Sequence, residues 1–207
     1  SFATVTGYQW ATCLCINDEV VHGIPYSYAM KEGDVLTIDV GLIYEGFHTD
    51  TAWTKVVPSS EFRVPSETER FLAVGEKALW DAIAQAMIGN HIGHISQVAQ
   101  TAIESAGYSI IKTLVGHGVG RSLHEEPQVP NYLPAGRHGL RGAIENTPKL
   151  IGGETIAVEV IYAMGNGTIE YCRRDGWTLG SKDRSLTAVF EHTIAITPSA
   201  PQILTKV

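Results

Sequence analysis

Several things are scarce in this sequence, and each shortage removes a class of protein. Cysteine appears three times in 207 residues, an odd number too sparse for a disulfide framework. Cys13 and Cys15 flank one residue and Cys172 stands apart, a pattern that argues against a structural zinc knuckle. Such usage fits a reducing, cytoplasmic compartment. No segment approaches the ~20 consecutive apolar residues that cross a bilayer. No basic stretch leading into an apolar run and a small-residue cleavage site opens the chain. The expectation is a soluble, unexported protein without a membrane partner. Lys and Arg number 15 against 22 Asp and Glu, a net charge of -7. No basic cluster marks a nucleic-acid surface. A starting methionine is also missing, for the chain opens Ser1-Phe2-Ala3, as a processed or trimmed form of something longer would.

What is present reads as globular: 44% of residues are hydrophobic and 18% charged. This length buries roughly 70% of the unfolded surface, enough for one domain over residues 1–207. Residues 34–43 set Leu36, Ile38, Val40 and Leu42 against Thr37, Asp39 and Gly41, the period of a strand. Tyr44-Glu45-Gly46 signals a turn, and residues 47–57 read as the returning strand. Ser66 and Glu69 form a capping box before a helix carrying Phe71, Leu72, Ala78, Leu79, Ala82, Ile83, Ala86 and Met87, ended by Gly89-Asn90. A second helix is expected from about His94 to Ala106, closed by Gly107. Residues 125–153, with four prolines and five glycines, read as a long structured loop. Strands follow near 154–163 and 187–197, around a loop holding Asp175-Gly176-Trp177. Hairpins, then helices, then strands make an α+β fold.

The hairpin carries a charge conflict. With Tyr44-Glu45 as a two-residue turn, paired numbers sum to 89 and Asp39 lies opposite Asp50. Like charges in that relation destabilise a sheet, so the pair needs a cation or a proton. A longer turn, leaving one Asp exposed, is the alternative. Glu159 in Ile156-Ala157-Val158-Glu159-Val160 and Glu191 in Val189-Phe190-Glu191-His192-Thr193 repeat the anomaly. Each alone could be the solvent-facing member of a half-exposed strand; together, four carboxylates in apolar strands point to a shared site. His117 sits among glycines in Gly116-His117-Gly118-Val119-Gly120, His124 precedes Glu125-Glu126-Pro127, and His22 opens His22-Gly23-Ile24-Pro25. Glycines there permit positive φ and close backbone approach. His91, His94 and His138 read as incidental surface or helix residues. An oxygen-rich set with one imidazole suits Mn, Fe, Co or Zn as divalent ions. Two such ions ~3.5–4 Å apart can share a bridging hydroxide that attacks at neutral pH, while nearby imidazoles serve the leaving nitrogen and the oxyanion.

These strings, with Ile38-Asp39-Val40-Gly41, His48-Thr49-Asp50-Thr51-Ala52, Asp175-Gly176-Trp177-Thr178 and Phe190-Glu191-His192-Thr193, resemble type I methionine aminopeptidases. The match runs in order over nearly the whole chain. The resemblance implies a pita-bread fold, a curved antiparallel sheet backed by helices with pseudo-twofold symmetry. It implies two divalent ions held by Asp39, Asp50, His117, Glu159 and Glu191, with Asp50 and Glu191 touching both and Glu159 also moving the proton of the attacking water. By the same resemblance His124 binds the scissile group, His22 serves the leaving side, and Tyr8, Cys13 and Trp177 line a methionine pocket. The reaction implied is hydrolysis of the first peptide bond, releasing the initiator methionine of peptides and nascent chains, with small residues preferred next. A monomer with a transient ribosome contact belongs to the same expectation. The chain departs from the usual pattern at Leu123, Val160, Val189 and Gln9, positions that bear on pocket shape. The rival readings are a proline-directed aminopeptidase or dipeptidase of the same fold and a non-catalytic binding module.

Overall fold

The computed structural model describes residues 1–60, 63–134 and 139–206. After a 3-10 turn at Phe2–Thr4 come β1 (Thr12–Ile16), β2 (Glu19–Val21), β3 (Val35–Tyr44) and β4 (Phe47–Val56). Two helices follow, α1 (Ser66–Ile83) and α2 (Ile92–Ser105), then β5 (Ser109–Ile110), β6 (Val115–Gly118) and β7 (Glu125–Pro130). The short α3 (Gly139–Glu145) precedes β8 (Thr155–Ala163), β9 (Ile169–Tyr171), β10 (Leu179–Ser181), β11 (Thr187–Ala195) and β12 (Gln202–Ile203). The strands pair antiparallel in three sheets, β1-β3-β4, β2-β10-β9 and β12-β11-β8-β6-β7, with β5 also on β8. His138 lies outside the described residues.

Strand alternation sorts the core from the site. On β8, Ile156, Val158, Val160 and Tyr162 are buried with Phe71, Leu79, Ile92, Ile95 and Ile103 of the two long helices. The intervening Ala157, Glu159 and Ile161 therefore face the opposite side. Burying each large apolar side chain is worth about 1.5–3 kcal/mol, which fixes β8 and β11 to the helix layer in one register. Glu159 lies directly across from Glu191 in that pair.

β4 runs beside β11 without a shared backbone ladder; threonine hydroxyls join them instead. Thr193 Oγ1 accepts from Asp50 N at 2.8 Å and donates to Asp50 O at 2.7 Å. Thr51 Oγ1 donates to Glu191 O at 2.8 Å. Thr54 Oγ1 accepts from Val189 N at 2.9 Å and donates to Val189 O at 2.8 Å. The threonine bonds thus join the two sheets, and each side presents an antiparallel, carboxylate-bearing strand pair at the seam, β3–β4 and β8–β11.

Four local expectations are corrected. The β3–β4 turn is Glu45-Gly46, with Tyr44 paired to Phe47. Both turn residues have positive φ, 49° and 79°, as a type I′ hairpin requires, which is why glycine sits second. Asp39 therefore pairs with Ala52 and Asp50 with Gly41. The Ser66 capping box does not form: Pro65 occupies the cap position, and α1 ends at Ile83. The second helix starts at Ile92, where His94 Nδ1 accepts from His91 N at 3.0 Å and the Thr147 hydroxyl accepts from Gly93 N at 2.8 Å. Residues 125–153 hold β7 and α3 rather than an uninterrupted loop, because cross-strand pairing with β6 satisfies a backbone that turn-rich composition leaves unassigned.

Candidate active site

A cleft of about 640 Å³ opens at the seam and is lined by Tyr8, Cys13, His22, Asp39, Asp50, His117, His124, Glu159, Trp177 and Glu191. The structure thus gathers all ten residues singled out by sequence around one space. At the floor Asp39 and Asp50 lie diagonally on one face of the β3–β4 hairpin, while Glu159 and Glu191 face each other across β8–β11. His117 enters from β6, between Gly116 and Gly118. Neither flanking glycine has positive φ; their role is close approach. A Cβ at Gly116 would fall 2.4 Å from Ala157 O, and one at Gly118 2.2 Å from Glu126 O.

The electrostatics of the floor oppose four ionised carboxylates unless a cation or protons join them. Asp39 is pushed well above the ordinary carboxylate range by desolvation and then by the Asp50 charge. Glu159 is raised by desolvation and Asp50; Glu191 by desolvation, then by Asp50, Glu159 and Asp39. Asp50 is pushed up to about 6, again by desolvation, against the lowering hydrogen bonds from Asp39 and from Thr51 N. Asp39 Oδ1 and Glu191 Oε1 are buried without a hydrogen-bond partner among the described residues, a costly state that a bound ion relieves.

His117 completes the donor set. Its Nδ1 lies 2.9 Å from Gly118 O, and a carbonyl only accepts, so Nδ1 carries the proton. Desolvation holds the ring's pKa down at about 4, so at neutral pH Nε2 presents a bare lone pair. Nε2 lies 3.8 Å from Asp50 Oδ2 and 3.7 Å from Glu159 Oε1. These spacings exceed a hydrogen bond and suit donors arranged about a common centre. Ligand atoms of Asp50, His117 and Glu191 all fall within 4.8 Å of one another.

One end of the cleft is apolar. Phe2, Tyr8, Cys13 and Leu123 form a buried cluster joined by Val5, Trp10, Ile24 and Trp177. Tyr8 stacks edge-on against Trp177 with centroids 5.1 Å apart, and its hydroxyl donates to Cys13 Sγ at 3.1 Å. Desolvation, then the Asp39 charge, pushes the Cys13 thiol up to about 12, which keeps it a neutral pocket wall and no thiolate ligand. At the mouth, His124 stands edge-on to His117 with ring centroids 4.4 Å apart. His124 and His22 both titrate below the ordinary imidazole range, through desolvation first and, for His22, the neighbouring His124. Each is neutral at pH 7 and carries one N–H donor. Sequence reasoning missed Phe2 and Val5, which lie in the opening segment without periodic context, and Thr193. The last was within reach, since it lies two residues beyond Glu191 and therefore on the same strand face.

Residues 3–198 match the model of metallopeptidase family M24. The methionine aminopeptidase of Clostridium perfringens is 37% identical over the whole chain, which covers 78% of that relative. The crystal structure of methionine aminopeptidase from Thermotoga maritima superposes with a TM-score of 0.90 at 38% identity, covering 100% of this chain and 78% of the other. A prolidase from Pyrococcus horikoshii, 22% identical, has a TM-score of 0.71 over 96% of this chain and 48% of its own, and shares the pita-bread fold alone. The chain belongs to metallopeptidase family M24, among its methionine aminopeptidases.

Proposed function

We propose that residues 1–207 act as one catalytic domain that hydrolyses the first peptide bond of peptides and nascent chains bearing an N-terminal methionine. The observation that carries this reading is the apolar Phe2–Tyr8–Cys13–Trp177 pocket set beside five ligand-type side chains in one cleft. Asp39, Asp50, His117, Glu159 and Glu191 would hold divalent metal. Four carboxylates leave more negative charge than one dication neutralises, which supports two ions, of Co, Mn, Fe or Zn. Bound there, such ions supply Lewis acidity toward water and toward the scissile carbonyl.

The chain's own groups do the rest. The unbranched thioether of methionine fits an aromatic, sulfur-tolerant pocket, and burying it there places the first peptide bond over the carboxylate floor. Glu159, raised in pKa and facing Glu191, is suited to take a proton from the attacking water and pass it to the departing nitrogen. His124 donates a hydrogen bond to the scissile group, and His22, across the mouth, serves the leaving side. No helix among the described residues is long and apolar enough to cross a membrane. Nascent-chain substrates imply cytoplasmic action as a monomer in transient contact with ribosomes; the sparse cysteines fit the reducing compartment.

A peptide panel tests this reading with the protein loaded in turn with Mn, Fe, Co and Zn. The expected result is release of methionine from Met-Gly and Met-Ala peptides, falling as the second residue grows. Cleavage of Xaa-Pro peptides with no methionine released would overturn it.

A further inference from the structure

His22 stands at the end of β2 with φ 57°, in the left-handed region that a non-glycine residue holds only when its surroundings impose it. Among the described residues no hydrogen bond holds its ring, so the backbone of the following segment sets where it points. That segment, residues 22–32, has no regular structure. What fixes it is a cluster outside the metal ligands. Ile24 O accepts from Arg173 Nη1 at 3.0 Å, and Ile24 N donates to Thr178 Oγ1 at 3.4 Å. Arg173 and Thr178 both belong to the β9–β10 connection, which also carries Trp177.

Arg173 reaches further. Its Nε donates to Glu19 Oε1 of β2 at 2.6 Å, and Nη2 pairs with the same oxygen. Glu19 Oε2 in turn accepts from Ile16 N of β1 at 2.9 Å. The guanidinium stacks 3.7 Å above the Tyr26 ring. The two charged side chains are 19% and 11% exposed, so the pair is screened little by water. On the same connection, Asp175 Oδ1 accepts from Trp177 N at 2.8 Å, and Asp175 Oδ2 from Thr178 Oγ1 at 2.5 Å. One cation therefore ties together β2, the stretch after His22 and the turn that presents Trp177.

We propose that Arg173 is a positioning residue for catalysis: by clamping Ile24 and Tyr26 to Glu19 it holds His22 over the mouth of the cleft, in register with the Trp177 pocket wall. The proposal rests on the role given above to His22. The planar fork is what the geometry uses, with separate nitrogens on the carboxylate and the carbonyl and a face on the ring. Lysine keeps the charge without that fork.

The test is a double-mutant cycle on the metal-loaded protein, using Arg173→Met, Arg173→Lys, His22→Ala and both combinations, with kcat, KM on a Met-Ala peptide and melting temperature recorded. Displacing a reacting group by about an ångström costs on the order of 100-fold in rate. Arg173→Met is therefore expected to lower kcat roughly 10- to 100-fold with KM changed less than about threefold, and Arg173→Lys to recover part of that loss. Added to His22→Ala, Arg173→Met is expected to cost no more than about a further twofold, because the group it positions is already gone. If Arg173→Met does not fold, the Arg173→Lys arm completes the same cycle. Losses that multiply overturn the proposal, as does a parental kcat in both Arg173 variants. Should His22→Ala alone retain full kcat, the role of His22 falls and the clamp's catalytic meaning with it. Impaired His22→Ala with multiplying losses removes the clamp and leaves His22 its role.

Discussion

Asp39 is placed on its strand directly beside Cys13 and diagonally from Asp50, so its charge meets a thiol on one side and a carboxylate on the other. Desolvation and repulsion both oppose its ionisation, and only a cation makes the ionised form favourable there. Replacing it with asparagine keeps the shape and removes the conflict. Asp39→Asn is expected to raise the melting temperature of the metal-free protein by a few degrees, of the order that ~1 kcal/mol gives. The same substitution is expected to cut turnover by about 100-fold or more through lost metal affinity. Calorimetry, metal content and kcat on Met-Ala decide the matter: full activity with full metal content would remove Asp39 from the ligand set. The exchange of stability for function at one carboxylate is what a preformed metal site entails.

At the scale of elements, the β3–β4 hairpin shows why a partly mistaken register still kept Asp39 and Asp50 on one face. Placing the turn one residue early shifts the pairing by two, and strand side chains repeat every two residues. Asp39 therefore lost Asp50 as its direct partner but stayed on the same face. A shift of one would have sent one Asp to the far side. The packing of α1 on β8 is less forgiving. A Cβ at Gly75 would lie 2.2 Å from Tyr162 Oη and 2.5 Å from the ring, and that hydroxyl donates to Phe71 O at 2.6 Å. Alanine gains up to about 1 kcal/mol in helix propensity but overpacks a fully buried contact, at a typical cost of 1–3 kcal/mol. Gly75→Ala is thus expected to lower the melting temperature by several degrees, and adding Tyr162→Phe to return part of that loss. Thermal denaturation of both variants checks the pair, and an unchanged Gly75→Ala would place the helix farther from the sheet.

For the whole molecule, the four raised carboxylates link stability to pH and metal. Above about pH 7.5, a full unit over the unfolded value of ~6.5, the histidines with lowered pKa are almost wholly neutral in both the folded and the unfolded chain, so they contribute little slope there. Asp39, Glu159 and Glu191, pushed well above the carboxylate range, bind more protons folded than unfolded. Stability of the metal-free protein then falls as pH rises through this window. Metal loading keeps the same carboxylates ionised in the folded state and removes the slope. Chelator-treated protein is expected to lose melting temperature as pH rises above about 7.5 while the loaded protein stays level; parallel curves would mean the carboxylates are already ionised without metal.

The sequence by itself determined most of the long elements and marked four carboxylates as candidate site residues. Charged residues inside apolar alternating runs are rare enough that Asp39, Asp50, Glu159 and Glu191 stood out locally, and 3.6-residue spacing marked both long helices. The choice of His117, and the roles of His124 and His22, came through family resemblance, because a single imidazole has no periodic signature. The tertiary structure alone decided the turn at Glu45-Gly46, the strand inside residues 125–153, the threonine seam between β4 and β11, and the Arg173 clamp. The seam and the clamp depend on partners far along the chain, as with Thr193 on Asp50 or Arg173 on Glu19. Local pattern records what a residue prefers, while such contacts arise only once two distant strands are laid side by side.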